Sequence, residues 1–295
     1  KPEVIFFFDP DLLPFFEVFK LLSKTSIIFD NHDDYPSYIM MKDTIPLIAR
    51  KLVRVLYIFF FDLGKRIFDF VTYADPFTTG VDPSRPNEAV IYNYPSVERF
   101  PIQNKKYDLI YPGSIDLGVC RRLLLIAEKL DKDSGEKIKF LIIGRDVASS
   151  SRELIEKYNR NHFNTKIILK NDLPYNTVQG YISQSKIGLI PLPHVEKFRR
   201  HILIKLFEYL MHSIPILASD LPPISLFLNK TEGNYCIKEE KFSSSYSENI
   251  IKILDNYSLY SELAKRNYKI LEENWNWKKS EEPKLISIVK SLKNK

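Results

Sequence analysis

The 295-residue sequence is poor in cysteine and has no long run of apolar residues. Its two cysteines, Cys120 and Cys236, form neither a disulfide framework nor a Cys-x-x-Cys pair, which indicates structural thiols in a reducing, cytoplasmic setting. The most apolar charge-free run, at 55–61, has seven residues, whereas about 18 are needed to cross a bilayer. The sequence therefore predicts neither a disulfide-stabilised domain nor a transmembrane span.

Zinc-finger spacing, an aromatic RNA-binding signature and a basic-region helix are absent as well, which argues against a nucleic-acid partner. What is present is enough apolar material for buried cores, with 44% hydrophobic and 13% aromatic residues, so disorder is not expected. The net charge of +6 comes from basic residues spread over many segments. It favours anionic partners, namely phosphate groups and, through peripheral contact, an anionic membrane surface.

Apolar runs and helical patterns alternate regularly after about residue 100. Strand-like runs lie at 107–111, 140–143, 167–169, 187–192, 216–218 and 235–237, and helix-like segments lie between them at 119–131, 151–159, 175–184, 202–212 and 223–228. The first helix repeats apolar residues with a 3.6-residue period, at Val119, Leu123, Leu124, Ala127 and Leu130. This alternation predicts a parallel sheet covered on both faces, a Rossmann-like α/β domain.

The first hundred residues have the same character with fewer elements. Strands are predicted at 4–8, 27–29, 71–73 and 89–92, a helix at 12–22, and a long helical region at 45–70 interrupted near Gly64. Prolines stiffen a connection, so 93–95 followed by Pro101 predicts an interdomain hinge. One last helix is expected from Ser280. The predicted domains are therefore 1–100, 101–279 and the helix at 280–295.

The helix predicted at 202–212 carries the strongest functional pattern. Lys205 and Glu208 are three residues apart, so they share one face, which we expect to be exposed. The opposite face is an apolar stripe of Leu203, Leu206, Tyr209 and Leu210. A lysine at a helix N-terminus just past a strand can bind a pyrophosphate, and a nearby carboxylate can accept ribose hydroxyls, so the pair suits a nucleotide sugar. The alternative is an ordinary surface Lys–Glu ion pair.

Three blocks around this helix resemble the signature of glycosyltransferase family 4, which usually runs close to kFR…K-L-F-E-Y-M…G-x-P-V-I-A-S-D-x-P. They lie at 197–199, 205–210 and 215–222, and the similarity extends over nearly the whole chain. The resemblance implies an α/β fold of GT-B architecture, in which two Rossmann-like domains face a cleft and a C-terminal crossover helix returns to the first domain. The first domain is expected to be incomplete.

Two segments near the N-terminus resemble acceptor-side motifs of this family. The turn at Asp9 resembles H-D-P-x-L-L-P, with Phe8 where a histidine is frequent, and Asp9 is also expected to cap the following helix. The segment 30–35 resembles D-x-H-E-D-Y-P. The resemblance implies that His32 contacts the transferred sugar and that Asp9 and Asp33 lie on the acceptor side. From spacing alone, a histidine among acids is more often a surface or capping residue.

The donor-side motifs are matched only in part. Gly113 ends a strand as in the family's Y-x-G loop, where backbone amides approach phosphate, but Ser114 stands where many members have arginine. Arg199 or Arg200 is expected to compensate. Gly144 begins a turn that lacks the family's second glycine. The implied donor-binding residues are Gly113, Ser114, Gly144, Arg145, Lys170, Asn171, Arg199, Lys205 and Glu208.

The resemblance implies a retaining glycosyltransferase that moves a sugar from a nucleoside-diphosphate donor to a glycan or lipid-linked acceptor in bacterial surface polysaccharide synthesis. His32, Lys205 and Glu208 would be catalytic, with no cofactor and no metal, since the acids around His32 lack a partner motif at ligand spacing. Arg200 occupies the place of the first glutamate of the family's E-x7-E pair. The alternatives are a non-catalytic subunit that binds nucleotide sugars, or a nucleotide-sugar epimerase on the same scaffold.

The position of the Asp9 turn predicts that the chain is a fragment. In the resembled family, a strand, a glycine-bearing loop and further strand–helix units precede this turn, whereas here only one strand does. A parallel sheet that starts at Val4 would leave an apolar edge open. We therefore expect the chain to bind a donor and to transfer little or no sugar by itself.

Overall fold

The structure is a computed structural model that describes residues 2–42, 44–82, 84–98, 100, 103–145 and 147–293. The chain divides into unit 1, made of Lys1–Tyr94, Val195–Ile202 and Asn276–Lys295, and unit 2, made of Pro95–His194 and Leu203–Trp275. Each unit contains one parallel sheet with helices around it, so the predicted α/β class is confirmed. Pro101 of the predicted hinge lies outside the described residues.

The sheet of unit 1 has four parallel strands in the order β1-β2-β3-β4. The strands are β1 (Val4–Phe7), β2 (Ser26–Asn31), β3 (Phe70–Tyr73) and β4 (Glu88–Val90). Helices α1 (Leu13–Leu22), α2 (Tyr35–Met40), α3 (Leu47–Ile67), α7 (Glu196–Arg199) and α12 (Glu282–Lys293) complete the unit. Strand β2 is inaccessible to solvent from Ile27 to Phe29, which explains why it reads as an uninterrupted apolar run.

Strand β1 lies at the edge of this sheet and, within the described part of the chain, pairs only with β2. The side chains of Phe6 and Phe8 are 44% and 58% exposed there, and on α1 Leu21 and Leu22 are 73% and 83% exposed. Strand β1 is therefore an edge strand within the described residues, and Phe6 is exposed on it.

The predicted interruption of the long helix near Gly64 is wrong, because α3 runs without a break to Ile67. Gly64 serves packing instead: a Cβ at this position would lie 2.6 Å from the ring of Phe68, the residue that follows the helix. The carbonyl of Gly64 accepts the hydrogen bond of the Phe68 N–H at 2.8 Å, and the helix ends there.

The sheet of unit 2 has six parallel strands in the order β10-β9-β8-β5-β6-β7. They are β5 (Tyr107–Ser114), β6 (Ile138–Arg145), β7 (Thr165–Asn171), β8 (Ser185–Ile190), β9 (Ile216–Ser219) and β10 (Tyr235–Ile237). Helices α4 (Leu117–Asp133), α5 (Ser149–Asn161), α6 (Tyr175–Ser183), α8 (Ile204–Met211) and α9 (Pro222–Leu228) connect them. Every strand and helix predicted for this part of the chain is present.

Two further helices of unit 2, α10 (Phe242–Asp255) and α11 (Tyr257–Asn274), are absent from the sequence prediction. The buried stripe of α11 is narrow and includes a polar residue, Asn267. The side chain of Asn267 accepts a hydrogen bond from the N–H of Glu232 at 2.9 Å and donates one to its carbonyl at 2.7 Å. An asparagine on the inner face of a helix weakens the apolar periodicity that predicts the helix from sequence. The polar groups of this buried asparagine are hydrogen-bonded through the tertiary contact with Glu232.

The C-terminal helix α12 packs within unit 1, as the sequence analysis expects. The hydroxyl of Ser26, at the start of β2, donates to the carbonyl of Leu292 at 3.3 Å, and Lys293 pairs with Glu3 at 3.2 Å. Across the described ranges, no helix combines the length and apolar character needed to cross a membrane.

Candidate functional site

The carboxyl ends of three neighbouring strands in unit 2 bring predicted donor-site residues together. Gly113 of β5 lies opposite Gly144 of β6, and Gly144 lies opposite Asn171 of β7. Ser114 lies opposite Arg145 in the same register, and both are exposed. This edge is where open parallel sheets bind ligands, since the helices that follow the strands begin there.

Lys205 reaches the end of β5 from the first turn of α8. A Cβ on Gly113 would lie 2.6 Å from the Lys205 Nζ. Gly113 also has a φ of +147°, a backbone angle that residues with a side chain rarely adopt. The ammonium group also lies 4.1 Å from the centre of the Tyr111 ring. Glycine at position 113 therefore leaves room for the lysine beside the backbone of the strand.

Helix α8 is fixed on the sheet by a buried tyrosine. The hydroxyl of Tyr209 can donate a hydrogen bond to the carbonyl of Ile110, at 3.2 Å, and to that of Leu189, at 3.1 Å, and its ring packs closely against Gly188. Of the predicted apolar stripe, Leu206, Tyr209 and Leu210 are buried, whereas Leu203 is half-buried at the N-cap. These contacts set the rotation of the helix and with it the direction of the two charged residues.

The prediction that Lys205 and Glu208 lie on an exposed face is wrong, because both side chains are half-buried. Burial lowers the pKa of Lys205 to about 8, and the nearby Glu208 carboxylate acts in the opposite direction. Burial also raises the pKa of Glu208 above its ordinary value, against the effects of Tyr175, Lys205 and Gln179. The end of β5 covers the lysine and α6 covers the glutamate, so the pair is poorly solvated.

Sequence reasoning missed two residues that contact Glu208, Gln179 and Tyr175, and a third, His212, that contacts Gln179. The Gln179 Nε2 donates to the Glu208 Oε1 at 3.0 Å, and the Tyr175 hydroxyl hydrogen-bonds to the same carboxylate. His212 Nε2 lies 2.7 Å from the Gln179 Oε1. No spacing in the sequence links α6 to α8, so these contacts follow only from the packing of the two helices.

Other predicted donor residues already have partners in unit 2. The Lys170 ammonium lies 5.1 Å from the centre of the Tyr181 ring. With its amide oxygen turned towards Arg152, Asn171 accepts two hydrogen bonds from that guanidinium, at 3.0 and 2.6 Å. A Cβ on Gly144 would lie 2.0 Å from the Val147 side chain, so glycine is needed there for packing as well.

Arg199 and Arg200 belong to a segment of unit 1, whereas Ser114 belongs to unit 2. Arg199 is exposed at the end of α7. Arg200 donates to the hydroxyl of Thr79 at 2.8 Å, lies 3.9 Å from the Asp34 carboxylate and pairs with Glu196. Arg200 is therefore engaged by neighbours within its own unit.

His32 in unit 1 stands between two carboxylates at the end of β2. Its Nδ1 lies 3.9 Å from Asp30 Oδ2 and its Nε2 lies 3.8 Å from Asp33 Oδ2. Asp30 accepts a hydrogen bond from the Thr72 hydroxyl at 2.7 Å, and burial raises the pKa of this aspartate. The ring of Tyr35 packs edge-on at 6.0 Å from the His32 ring. The histidine is thus held by its neighbours while a third of its side chain is exposed.

A second histidine that sequence reasoning missed lies beside the same acids. His201 Nδ1 is 3.8 Å from Asp33 Oδ1 and 4.0 Å from Oδ2 of the buried Asp75. A cavity of about 180 Å³ opens here, lined by Asp33, Asp34, Ser37, Tyr38, Lys197 and His201. The ionisable and hydroxyl side chains that line it can form hydrogen bonds with the hydroxyl groups of a sugar.

Asp9 has the capping role that the sequence predicts. Its Oδ1 accepts a hydrogen bond from the N–H of Asp11 at 3.0 Å, at the start of a short 3₁₀ helix (Pro10–Leu12). In the portion of the chain that is described, no three His, Cys, Asp or Glu side chains are grouped so that they could hold a metal ion.

The fold is shared with several solved glycosyltransferase structures. The chain is similar to a TarM mutant from S. aureus in complex with fondaparinux, alpha-GlcNAc-glycerol and UDP, at 15% identity and a TM-score of 0.69 over 98% of this chain and 55% of that one. It is similar to sucrose-phosphate synthase from Thermosynechococcus elongatus, at 11% identity and a TM-score of 0.70 over 98% and 73% of the two chains. It is similar to Anabaena HepE in complex with UDP and glucose, at 9% identity and a TM-score of 0.64 over 97% and 77%.

No protein-family model and no curated protein sequence matches the chain. The similarity in structure is therefore a similarity of fold, and the chain has the GT-B fold that the sequence analysis predicts. The chain spans about half the length of TarM, 54% in one structure and 55% in another.

Proposed function

We propose that this chain is part of a glycosyltransferase that uses a nucleoside-diphosphate sugar as donor. The observation that carries the proposal is the half-buried Lys205 ammonium beside the backbone of Gly113, with Glu208 one turn further along α8. Structures of the same fold contain UDP, which supports a donor of this class. The acceptor is proposed to be a glycan or a lipid-linked glycan of a bacterial surface polysaccharide.

Lys205 and the start of α8 would bind the pyrophosphate. Leu203, at the N-cap, has no polar side chain, so it cannot satisfy the first N–H groups of the helix. These groups and the ammonium offer a desolvated positive site, where an anion binds more strongly than at an exposed surface. Glu208 would accept hydrogen bonds from the ribose hydroxyls with the lone pairs that Gln179 and Tyr175 leave free.

Transfer with retention would proceed as the bond between the anomeric carbon and the pyrophosphate oxygen breaks. The electron pair leaves with the pyrophosphate, where Lys205 stabilises the developing charge. An acceptor hydroxyl forms the new bond from the same face of the sugar, and its proton passes to the departing phosphate oxygen. His32 and Asp33 would orient the transferred sugar and the acceptor.

A screen of UDP-, GDP- and ADP-sugars by thermal shift, followed by transfer assays, tests the proposal. Stabilisation of this chain by one donor class is expected. The transfer assays use the intact protein of which the chain is proposed to be part, and product is expected there when a matched acceptor is present. Stabilisation without transfer would favour the non-catalytic subunit, and donor turnover without any acceptor would favour the epimerase. If no nucleotide sugar stabilises the protein, the transferase, the non-catalytic subunit and the epimerase are all contradicted. Co-sedimentation with anionic vesicles tests the proposed peripheral membrane contact.

Activity is expected to survive EDTA. In this proposal Lys205 and the first turn of α8 neutralise the pyrophosphate, so no divalent cation is needed for that step. Transfer rates measured with and without chelator should agree within about twofold. Loss of activity on chelation that manganese restores would contradict the proposed mechanism.

The affinity for UDP is expected to fall as the pH rises above about 8. Burial lowers the pKa of Lys205 to about 8, so the ammonium is charged below this pH and neutral above it. If UDP binding requires the single proton on Lys205, the affinity decreases by at most about tenfold for each pH unit above the pKa. Calorimetry from pH 7 to 10 measures the UDP affinity. Lys205→Arg is the control, because arginine stays charged over this range and its affinity should therefore not fall with pH. An affinity that is constant for both proteins would contradict it.

A further inference from the structure

Gln179 is a fully buried amide that joins the candidate donor residue Glu208 to a histidine. The side chain is 1% exposed. Its Nε2 donates to Glu208 Oε1 at 3.0 Å, and its Oε1 lies 2.7 Å from Nε2 of His212. The three groups therefore form a hydrogen-bonded chain from the C-terminal end of α8, across α6, and back to the middle of α8.

The chemistry of the three groups fixes the direction of this chain. An ionised carboxylate can only accept hydrogen bonds, so the NH₂ group of Gln179 must face Glu208. The amide oxygen then faces His212 and can only accept, so the proton of the histidine must be on Nε2. Burial, with a smaller effect of Lys105, lowers the pKa of His212 to about 4, so the ring is neutral near pH 7 and carries that single proton.

Packing holds the histidine in this orientation. The His212 ring lies 4.3 Å from the ring of Phe100, at 33° to it, and the residue is 9% exposed. Its Nδ1 is buried without a hydrogen-bond partner in the described ranges, which agrees with an unprotonated nitrogen there. The ring can therefore donate in one direction only, towards Gln179.

We propose that Gln179 and His212 are positioning residues that hold the Glu208 carboxylate in place for the ribose hydroxyls of the donor. This inference rests on the proposed donor-binding role of Glu208. Each bond in the chain polarises the next, so the neutral histidine strengthens the contact on the carboxylate without adding a charge that would compete with Lys205. Glu208 then keeps its orientation before the nucleotide arrives, which reduces the ordering needed on binding.

The test is a double-mutant cycle with UDP as the probe in calorimetry. Glu208→Gln alone is expected to weaken binding about tenfold, and Gln179→Met, which keeps the shape and removes both polar groups, about fivefold. In the Glu208→Gln background, Gln179→Met should have no further effect, since its contribution passes through the carboxylate. His212→Leu should behave like Gln179→Met, whereas His212→Gln keeps a donor near Nε2 and should restore most of the affinity.

The outcomes separate this inference from the proposed function. UDP affinity unchanged by Glu208→Gln would overturn the role of Glu208, and the inference with it. Affinity reduced by Glu208→Gln and unchanged by Gln179→Met would overturn the inference alone, as would equal losses from Gln179→Met in both backgrounds.

A measurement on the unmodified protein covers the case in which a variant fails to fold. The ¹⁵N chemical shifts of the His212 ring should correspond to a proton on Nε2 and none on Nδ1 at pH 7. The opposite tautomer would overturn the inference, because Gln179 could then not present its NH₂ group to Glu208.

Discussion

Replacing Lys205 by alanine is expected to reduce sugar transfer by about 100-fold or more, because it removes the cation that stabilises the leaving pyrophosphate. Folding should be unaffected or slightly improved. The ammonium is half-buried and its pKa is lowered by burial, so the folded protein loses an unfavourably solvated charge. Initial rates with the cognate donor and a thermal unfolding curve of the same sample check both parts.

Lys129→Ala is the matched control, since this half-buried lysine of α4 pairs with Asp133 at the end of the same helix. It should leave transfer unchanged. If Lys205→Ala loses less than about threefold in rate, or loses rate only in proportion to unfolded protein, the pyrophosphate assignment is wrong.

Replacing Gly188 by alanine is expected to destabilise unit 2 by about 3 kcal/mol. The added Cβ would lie 2.4 Å from the Tyr209 ring. That ring cannot move aside without losing its hydrogen bonds to Ile110 and Leu189. Because Lys205 is on the same helix as Tyr209, any displacement of the ring should also weaken UDP binding. Urea unfolding monitored by circular dichroism measures the change in stability.

Gly180→Ala is the opposite case and serves as its control. Gly180 lies inside α6, and a Cβ there would meet no atom within 4 Å. Alanine should therefore stabilise the helix by about 0.5–1 kcal/mol. Equal effects of the two substitutions would mean that the contact with Tyr209 does not limit the packing of α8.

The strands of unit 2 could be predicted because each is a short apolar run between helices of clear period. Gly113 and Lys205 could be selected as candidates because each lies at a strand end or a helix start and in a block that resembles a family motif. Arg200 could not be placed in the same way. Its partners Thr79 and Asp34 are far from it in sequence, and no local pattern connects the three.

The two histidines beside Asp33 in unit 1 illustrate the same limit. His32 follows a predicted strand, so its place at the end of β2 could be expected. His201 has no such position, and its approach to Asp33 and Asp75 depends on how the segment 195–202 packs within unit 1. The role of His32 in orienting the sugar and the acceptor belongs to the proposal.

The sequence by itself determined the α/β fold, the order of most elements and the helix face that carries Lys205 and Glu208, because these depend on local periodicity. Tertiary structure alone decided that this face is half-buried, that the lysine has a pKa of about 8, and that Gln179 and His212 stand behind Glu208. Desolvation and hydrogen-bond direction depend on which elements pack together, and residues distant in sequence carry no local signal of that packing.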